Sequence, residues 1–405
     1  MQFNHVRRTA AAVLALALLL LSACSLGASA RPRGAGSLVA WLGEDGLMLY
    51  RMDDGTSELL VAGSHLSAPV FSADGRYLYY RNSCDVFCQP LSGGRPLLAA
   101  VNAEYVGEVD GCAVFRSQTA GVTRYDPVQG TSSVLIEQPT DGMIGDVTFS
   151  PDRKRTVYTV CATDVGRTEL VSVCVTVPGA PEPDVYPASQ YPAGALMHAL
   201  AWSPDGSVCY MAVGAAGSET QRLYLFSPMD GSMVPLSAGR TSMLLAAADT
   251  SCSTNGAVLL TEGYASENDL YESPLQVDLT AAKAAYLPGG YAPTLGLAVS
   301  GDGAAVAWAL DDGDVTEAGL FVRTMEKTLS ICAGTFCCPV FSGDGQTLWF
   351  LETAEDAVDF CRSPANSAGK ETLLTGILRP DGVERKTLRD CFCIYDTTQT
   401  AQNTR

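Results

Sequence analysis

Two stretches near opposite ends of the chain are close copies of each other: PVFSADGRYLYY (Pro69–Tyr80) and PVFSGDGQTLWF (Pro339–Phe350). Each reads as an apolar strand that stops at Ser, an Asp-Gly reversal, and a second strand of aromatic and β-branched residues. Asp can bond its own backbone in a tight turn, and Gly accepts the positive φ that such a turn needs. The phrase therefore predicts a β-hairpin. It recurs as VTFSPDRKRTVY (Val147–Tyr158), LAWSPDGSVCY (Leu200–Tyr210) and LAVSGDGAAVAW (Leu297–Trp308).

The spacing of these hairpins carries the fold. Their serines, Ser72, Ser150, Ser203, Ser300 and Ser342, are separated by 78, 53, 97 and 42 residues. Two intervals are about double the others, and degenerate copies sit near their midpoints: VDGCAVFRS (Val109–Ser117) and SCSTNGAVLLTEG (Ser251–Gly263). A period of roughly 40–50 residues with four strands in each is the mark of propeller blades. Third and fourth strands are legible in LYLFSPMDGSMVPL (Leu223–Leu236) and LFVRTMEKTLSI (Leu320–Ile331). The block VAWLGEDGLMLYRMDDGTSELL (Val39–Leu60) has later strands but no opening one, and TLRDCFCIYD (Thr387–Asp396) is the candidate to supply it. Such a closure ties the ends of the ring together and removes a sheet edge. The expectation is an all-β chain with a single β-propeller, eight blades favoured and seven possible if a weak copy is misread, closed by a C-terminal strand.

The Phe/Trp-Ser-Pro-Asp-Gly phrase followed by an aromatic strand resembles the TolB-like family of β-propeller repeats, which are also found in prolyl oligopeptidase relatives. The resemblance spans about Val39–Asp396, and only Trp202–Gly206 carries the full consensus. It implies scaffold; the matching residues are turn formers and bring no activity with them.

The first residues, MQFNHVRR, hold two arginines, and the apolar run AAVLALALLLLSA (Ala11–Ala23) follows. A basic start and a run this short make a secretory signal peptide rather than a spanning helix, which needs about 20 apolar residues. Leu21-Ser22-Ala23-Cys24 resembles the bacterial lipobox, in which the cysteine thiol is alkylated by a diacylglyceryl group and cleavage falls just before it. The plainer alternative is an ordinary signal peptide that happens to contain a cysteine. The expected organisation is a leader over 1–23, a flexible Gly/Ala/Ser/Pro tether over 24–36, the propeller over 37–396 and a tail over 397–405. Lipidation at Cys24 would hold the domain on the extracytoplasmic face of the cell membrane.

The chain carries a net charge of −18, and loss of Arg7 and Arg8 with the leader takes it to −20. That surface repels nucleic acid, so no nucleic-acid partner is expected. Fourteen cysteines, less Cys24, leave thirteen, so at least one is unpaired within the chain. A bridge from Cys391 or Cys393 to Cys332 or Cys361 would staple the closure, whereas Cys112, Cys161, Cys174, Cys209 and Cys252 read as buried thiols on strands.

Sites of chemistry are sparse. Past the leader there are two histidines, His65 and His198, and neither a His-Glu-x-x-His nor a Gly-x-Ser-x-Gly motif. Ser342–Trp349 approaches the sialidase Asp-box, but its glycine falls one place early. Asp311-Asp312-Gly313-Asp314 with Glu317, and Asp53-Asp54-Gly55, could offer oxygen ligands to calcium, though solvated turns are the favoured reading. The cysteine spacings do not match a structural zinc site. No catalytic, cofactor-binding or metal residue is assigned. Two functions remain. The favoured one is a non-enzymatic, membrane-anchored binding or scaffold module for another protein or a cell-envelope component, with Tyr186 and Tyr191 in the loop Val177–Gly194 as contacts or as packing. The alternative is a glycan- or ligand-binding propeller, or a glycosidase, with carboxylates or aromatics from several blades converging on one mouth of the channel.

Overall fold

The computed structural model describes residues 36–164, 167–177, 179–192, 194–215, 220–236, 244–264, 272–281, 283–288, 292–311, 318–354, 357–377, 388 and 390–397. Cys24, the leader and residues 312–317 of the acidic cluster lie outside them.

Eight blades form a ring, each a four-stranded antiparallel sheet entered at its inner strand. Blade 1 is the split one. Its inner strand is Phe392–Tyr395, paired antiparallel with Leu38–Gly43, and Gly46–Arg51 and Thr56–Ala62 complete it. The C-terminal closure expected from the sequence is thus formed. Blades 2 to 8 follow in chain order, with inner strands Leu66–Phe71, Ala103–Val109, Met143–Phe149, Ala195–Trp202, Leu244–Cys252, Thr294–Val299 and Phe336–Phe341. Both degenerate copies of the hairpin prove to be blades, the third and the sixth. Blades 5 and 6 are joined into one sheet, because Thr220–Arg222 pairs with Leu244–Ala246 while Tyr224–Phe226 pairs with Met233–Pro235.

One serine turn, repeated, joins the first two strands of most blades. In blade 2 the Tyr77 N–H donates to Ser72 Oγ at 3.0 Å, and Ser72 Oγ–H donates to Asp74 Oδ1 at 2.7 Å. Ser150, Ser203, Ser300 and Ser342 repeat this geometry, and in blade 6 Ser253 accepts the Val258 N–H. All six serines are buried, so a residue without an acceptor would strand an N–H out of water. Blade 3 lacks the serine and turns through Asp110 and Gly111, both at positive φ (52° and 73°), the conformation of a two-residue hairpin. Ser342-Gly343-Asp344 makes the same turn as its counterparts, and Trp349 is buried in the core, so the Asp-box likeness is a hairpin with a packed indole.

Apolar clusters fill the spaces between blades. Phe336, Phe350, Phe360 and Phe392 join blades 8 and 1, and Trp308 stacks on Phe321 within blade 7. The closure has a polar latch as well. Buried Asp396 accepts from Ser37 Oγ at 3.0 Å and from the Gly343 N–H of the blade 8 turn at 2.8 Å. A β-carbon on Gly75 (φ 66°) would lie 2.3 Å from the Tyr395 ring, so the blade 2 turn fits the closing strand only as glycine.

All thirteen cysteines of the described chain are thiols, so the expected staple from Cys391 or Cys393 to Cys332 or Cys361 is not formed. Cys391 and Cys393 pack in the cluster between blades 1 and 2, whereas Cys332 and Cys361 belong to the cluster of blades 7 and 8. Hydrogen bonds and apolar packing close the ring instead. Cys112, Cys174 and Cys209 are buried on strands, and Cys161 and Cys252 are half-buried.

Candidate functional site

The inner strands all run from one mouth of the ring to the other, so their first residues share one mouth and their last residues the opposite one. Seven of the eight inner strands are interrupted by a register shift against their neighbour, the exception being the short closing strand. Such bulges leave residues unpaired and re-aim side chains. In blade 4 the shift falls between Ile144 and Val147, which leaves Gly145 and Asp146 outside the ladder. The Asp146 N–H is satisfied by Thr159 Oγ1 at 3.0 Å, which leaves its carboxylate to meet a side chain of the next blade.

At the mouth where the inner strands begin, blades 2 to 5 enclose a cavity of about 480 Å³. His198 of blade 5 meets Asp146 of blade 4 there, Nδ1 to Oδ2 at 2.7 Å. Arg116 of blade 3 bonds both Glu104, its cross-strand partner, and the Gly145 carbonyl of blade 4. Arg81 of blade 2 completes the set, with Nε buried and without a hydrogen-bond partner among the described residues. Asn102, Gln118 and Thr163 add neutral polar groups. The His198 and Asp146 side chains are 40% and 36% exposed, open enough to meet a ligand. The hydrogen bond to Asp146 raises the His198 pKa above its usual value, and burial opposes that rise only in part. Burial pushes the Cys161 thiol in the same cavity upward, which keeps it protonated and a poor nucleophile.

The opposite mouth holds a larger cavity, about 680 Å³, walled by the serine turns of blades 2, 4 and 6. Its residues are largely committed to structure. Glu108 accepts the Ala73 N–H at 3.1 Å across the blade 2–3 junction, and burial raises its pKa. Arg153 lies over the ring of Phe149, which lines the same cavity. The first mouth is the candidate site because its charged groups face the cavity and one of them is unpartnered.

His198, one of the two histidines noted in the sequence, lies in this site; the other, His65, does not line it. Tyr186 and Tyr191 fall elsewhere and serve as packing: their hydroxyls donate to the Pro228 and Gly231 carbonyls of blade 5. A β-carbon on Gly231 would lie 2.2 Å from the Tyr186 ring, so the two blades are fitted closely. Arg81, Glu104, Arg116 and Asp146 were not singled out from the sequence. The repeat position nine residues after the turn serine holds Arg81, Thr159 and Glu262 in blades 2, 4 and 6, against Ala212, Ala309 and Leu351 in blades 5, 7 and 8, so it does not by itself mark the sector that lines the site.

Chemically, the site is a network of ion pairs with spare donors. Glu104 is paired with Arg116 and Asp146 is bonded to His198, and no hydroxyl or thiol among the described residues is hydrogen-bonded to His198 as a nucleophile would be to its base. Among the described residues no group of three or more His, Cys, Asp or Glu is placed to hold a metal ion. Asp54 is occupied by the Thr56 N–H and hydroxyl, as in an ordinary turn.

No family model and no curated protein matches the chain. Solved structures do. A eukaryotic initiation factor aligns with a TM-score of 0.54 at 12% identity over 84% of this chain and 96% of its own. Oligogalacturonate lyase from Vibrio parahaemolyticus gives 0.53 at 9% identity, over 79% and 95%. The dihydro-heme d1 dehydrogenase NirN gives 0.56 at 15% identity, over 89% and 78%. TolB from Acinetobacter baumannii is also similar, but at a TM-score of 0.37, with 13% identity over 85% and 65%, the superposition is too loose to carry an inference. Two of the better-aligned proteins are enzymes. At these identities the likeness establishes the propeller fold and leaves activity open.

Proposed function

We propose that this chain is a membrane-tethered, extracytoplasmic binding module whose ligand docks at the mouth built by blades 2 to 5. The observation that carries the reading is the convergence of Arg81, Glu104, Arg116, Asp146 and His198, from four blades, on one cavity. Structure alone does not require it: charge at the axis costs desolvation, and an apolar lining would be more stable. The convergence also moves the balance from a general protein scaffold toward recognition of a defined ligand. Catalysis is the weaker reading, since the histidine has an aspartate but, among the described residues, no nucleophile bonded to it.

The tether rests on Leu21-Ser22-Ala23-Cys24 and the leader before it. Metabolic labelling with a fatty-acid analogue tests it: the wild type takes up label and Cys24→Ser does not, whereas equal labelling would refute the anchor. For the mouth, the full chain in detergent is melted after dialysis against a cell-envelope extract. The wild type gains thermal stability by mass action and Arg116→Gln gains none. An equal gain in both would place the ligand elsewhere.

A further inference from the structure

We infer that the mouth of blades 2 to 5 is a site for a polyhydroxylated monocarboxylate, with Arg81 and His198 receiving the carboxylate and Glu104, Asp146 and Gln118 receiving hydroxyls. The inference rests on the reading of this mouth as a binding site and gives that site its ligand class. Arg81 is the first observation. Its Nε is sealed from water and unbonded among the described residues, and no carboxylate there pairs with it. Because Nε is sealed, a ligand can reach this guanidinium only through its Nη groups, and a carboxylate is the planar, two-oxygen acceptor that matches their paired N–H donors. His198 is the second. Asp146 occupies its Nδ1, which fixes the ring and leaves Nε2 as the remaining donor.

Charge then chooses among anions. Arg116 is paired with Glu104 and His198 is bonded to Asp146, which leaves Arg81 as the cation of this cavity without an acidic partner among the described residues. A monoanion neutralises it; a phosphate dianion overshoots, beside two carboxylates that repel it. Those same carboxylates accept hydrogen bonds from hydroxyl groups, as does the Gln118 side chain. A neutral sugar would leave Arg81 without its counter-charge. The binding step is an association only, with no bond made or broken.

Isothermal titration of the full chain in detergent with gluconate, inorganic phosphate and glucose tests the ligand class. Gluconate is expected to bind at least about tenfold more tightly than either of the others, and Arg81→Gln and His198→Gln each to weaken it by about tenfold or more. Arg81→Lys keeps the charge but not the fork, and is expected to lose most of that affinity as well. Circular dichroism melts establish that each variant is folded, and a variant that unfolds is replaced by protection of Arg81 from phenylglyoxal in the wild type. Phosphate or glucose binding as tightly as gluconate overturns the assignment, and so do gluconate binding unchanged in Arg81→Gln and a complete absence of gluconate binding. If gluconate fails while the envelope extract still stabilises the wild type and not Arg116→Gln, the ligand class falls and the mouth stands.

Discussion

At the scale of single residues, His198 shows how a small cluster couples charge to stability. Its pKa is raised in the folded chain by Asp146, with Arg116, Glu104 and Cys161 in the same cavity. Its contribution is therefore complete below the unfolded value of 6.5 and is lost as pH rises through the folded value. His198→Gln should lower the melting temperature by about 1–2 °C in mild acid, with the gap shrinking toward alkaline pH, a modest effect because the pair is partly exposed. A gap independent of pH would show that the pair is not titrating. The turn serines behave differently. Ser203→Ala removes the acceptor of the Val208 N–H at 3.1 Å and the donor to Asp205 at 2.7 Å, which should cost about 1–3 kcal/mol in chemical denaturation. A cost near zero would mean that water replaces the hydroxyl.

At the scale of elements, the closing strand Phe392–Tyr395 is the part on which the rest depends. Four residues supply one ladder, aromatic contacts with Phe360 and Phe71 and, through Asp396, a bond into the blade 8 turn. Asp396→Ala leaves the buried Gly343 N–H without its acceptor and should destabilise the ring by about 1–3 kcal/mol. Hydrogen exchange should then accelerate first in Leu38–Gly43, the strand that pairs with the closing one. Acceleration confined to other blades would contradict the latch. The hairpins and this closure were legible in the sequence because turns demand particular residues: Ser, Asp and Gly recur where φ and hydrogen bonds leave little choice. Even the degenerate hairpins of the third and sixth blades, VDGCAVFRS and SCSTNGAVLLTEG, kept an Asn/Asp-Gly reversal.

At the scale of the whole molecule, the site was hidden for a physical reason. Arg81, Arg116, Asp146 and His198 are separated by 35, 30 and 52 residues, an interval pattern that matches no motif because the ring, not the chain, makes them neighbours. Bulges that carry no residue signature then take Asp146 out of the ladder. The disulfide staple failed as an expectation for a related cause. Cys391 and Cys393 fall into a different inter-blade layer from Cys332 and Cys361, and packing with the Asp396 latch closes the ring without a bridge between them.

The most direct test of the mouth as the binding site is photo-crosslinking in intact cells. A photoreactive phenylalanine analogue is placed at Gln118, in the mouth, or at Met229, which is 79% exposed on the blade 5 rim. A discrete adduct is expected from position 118, absent from position 229 and lost when Arg81→Gln is added. The same adduct from both positions, or from 229 alone, would contradict the mouth as the binding site.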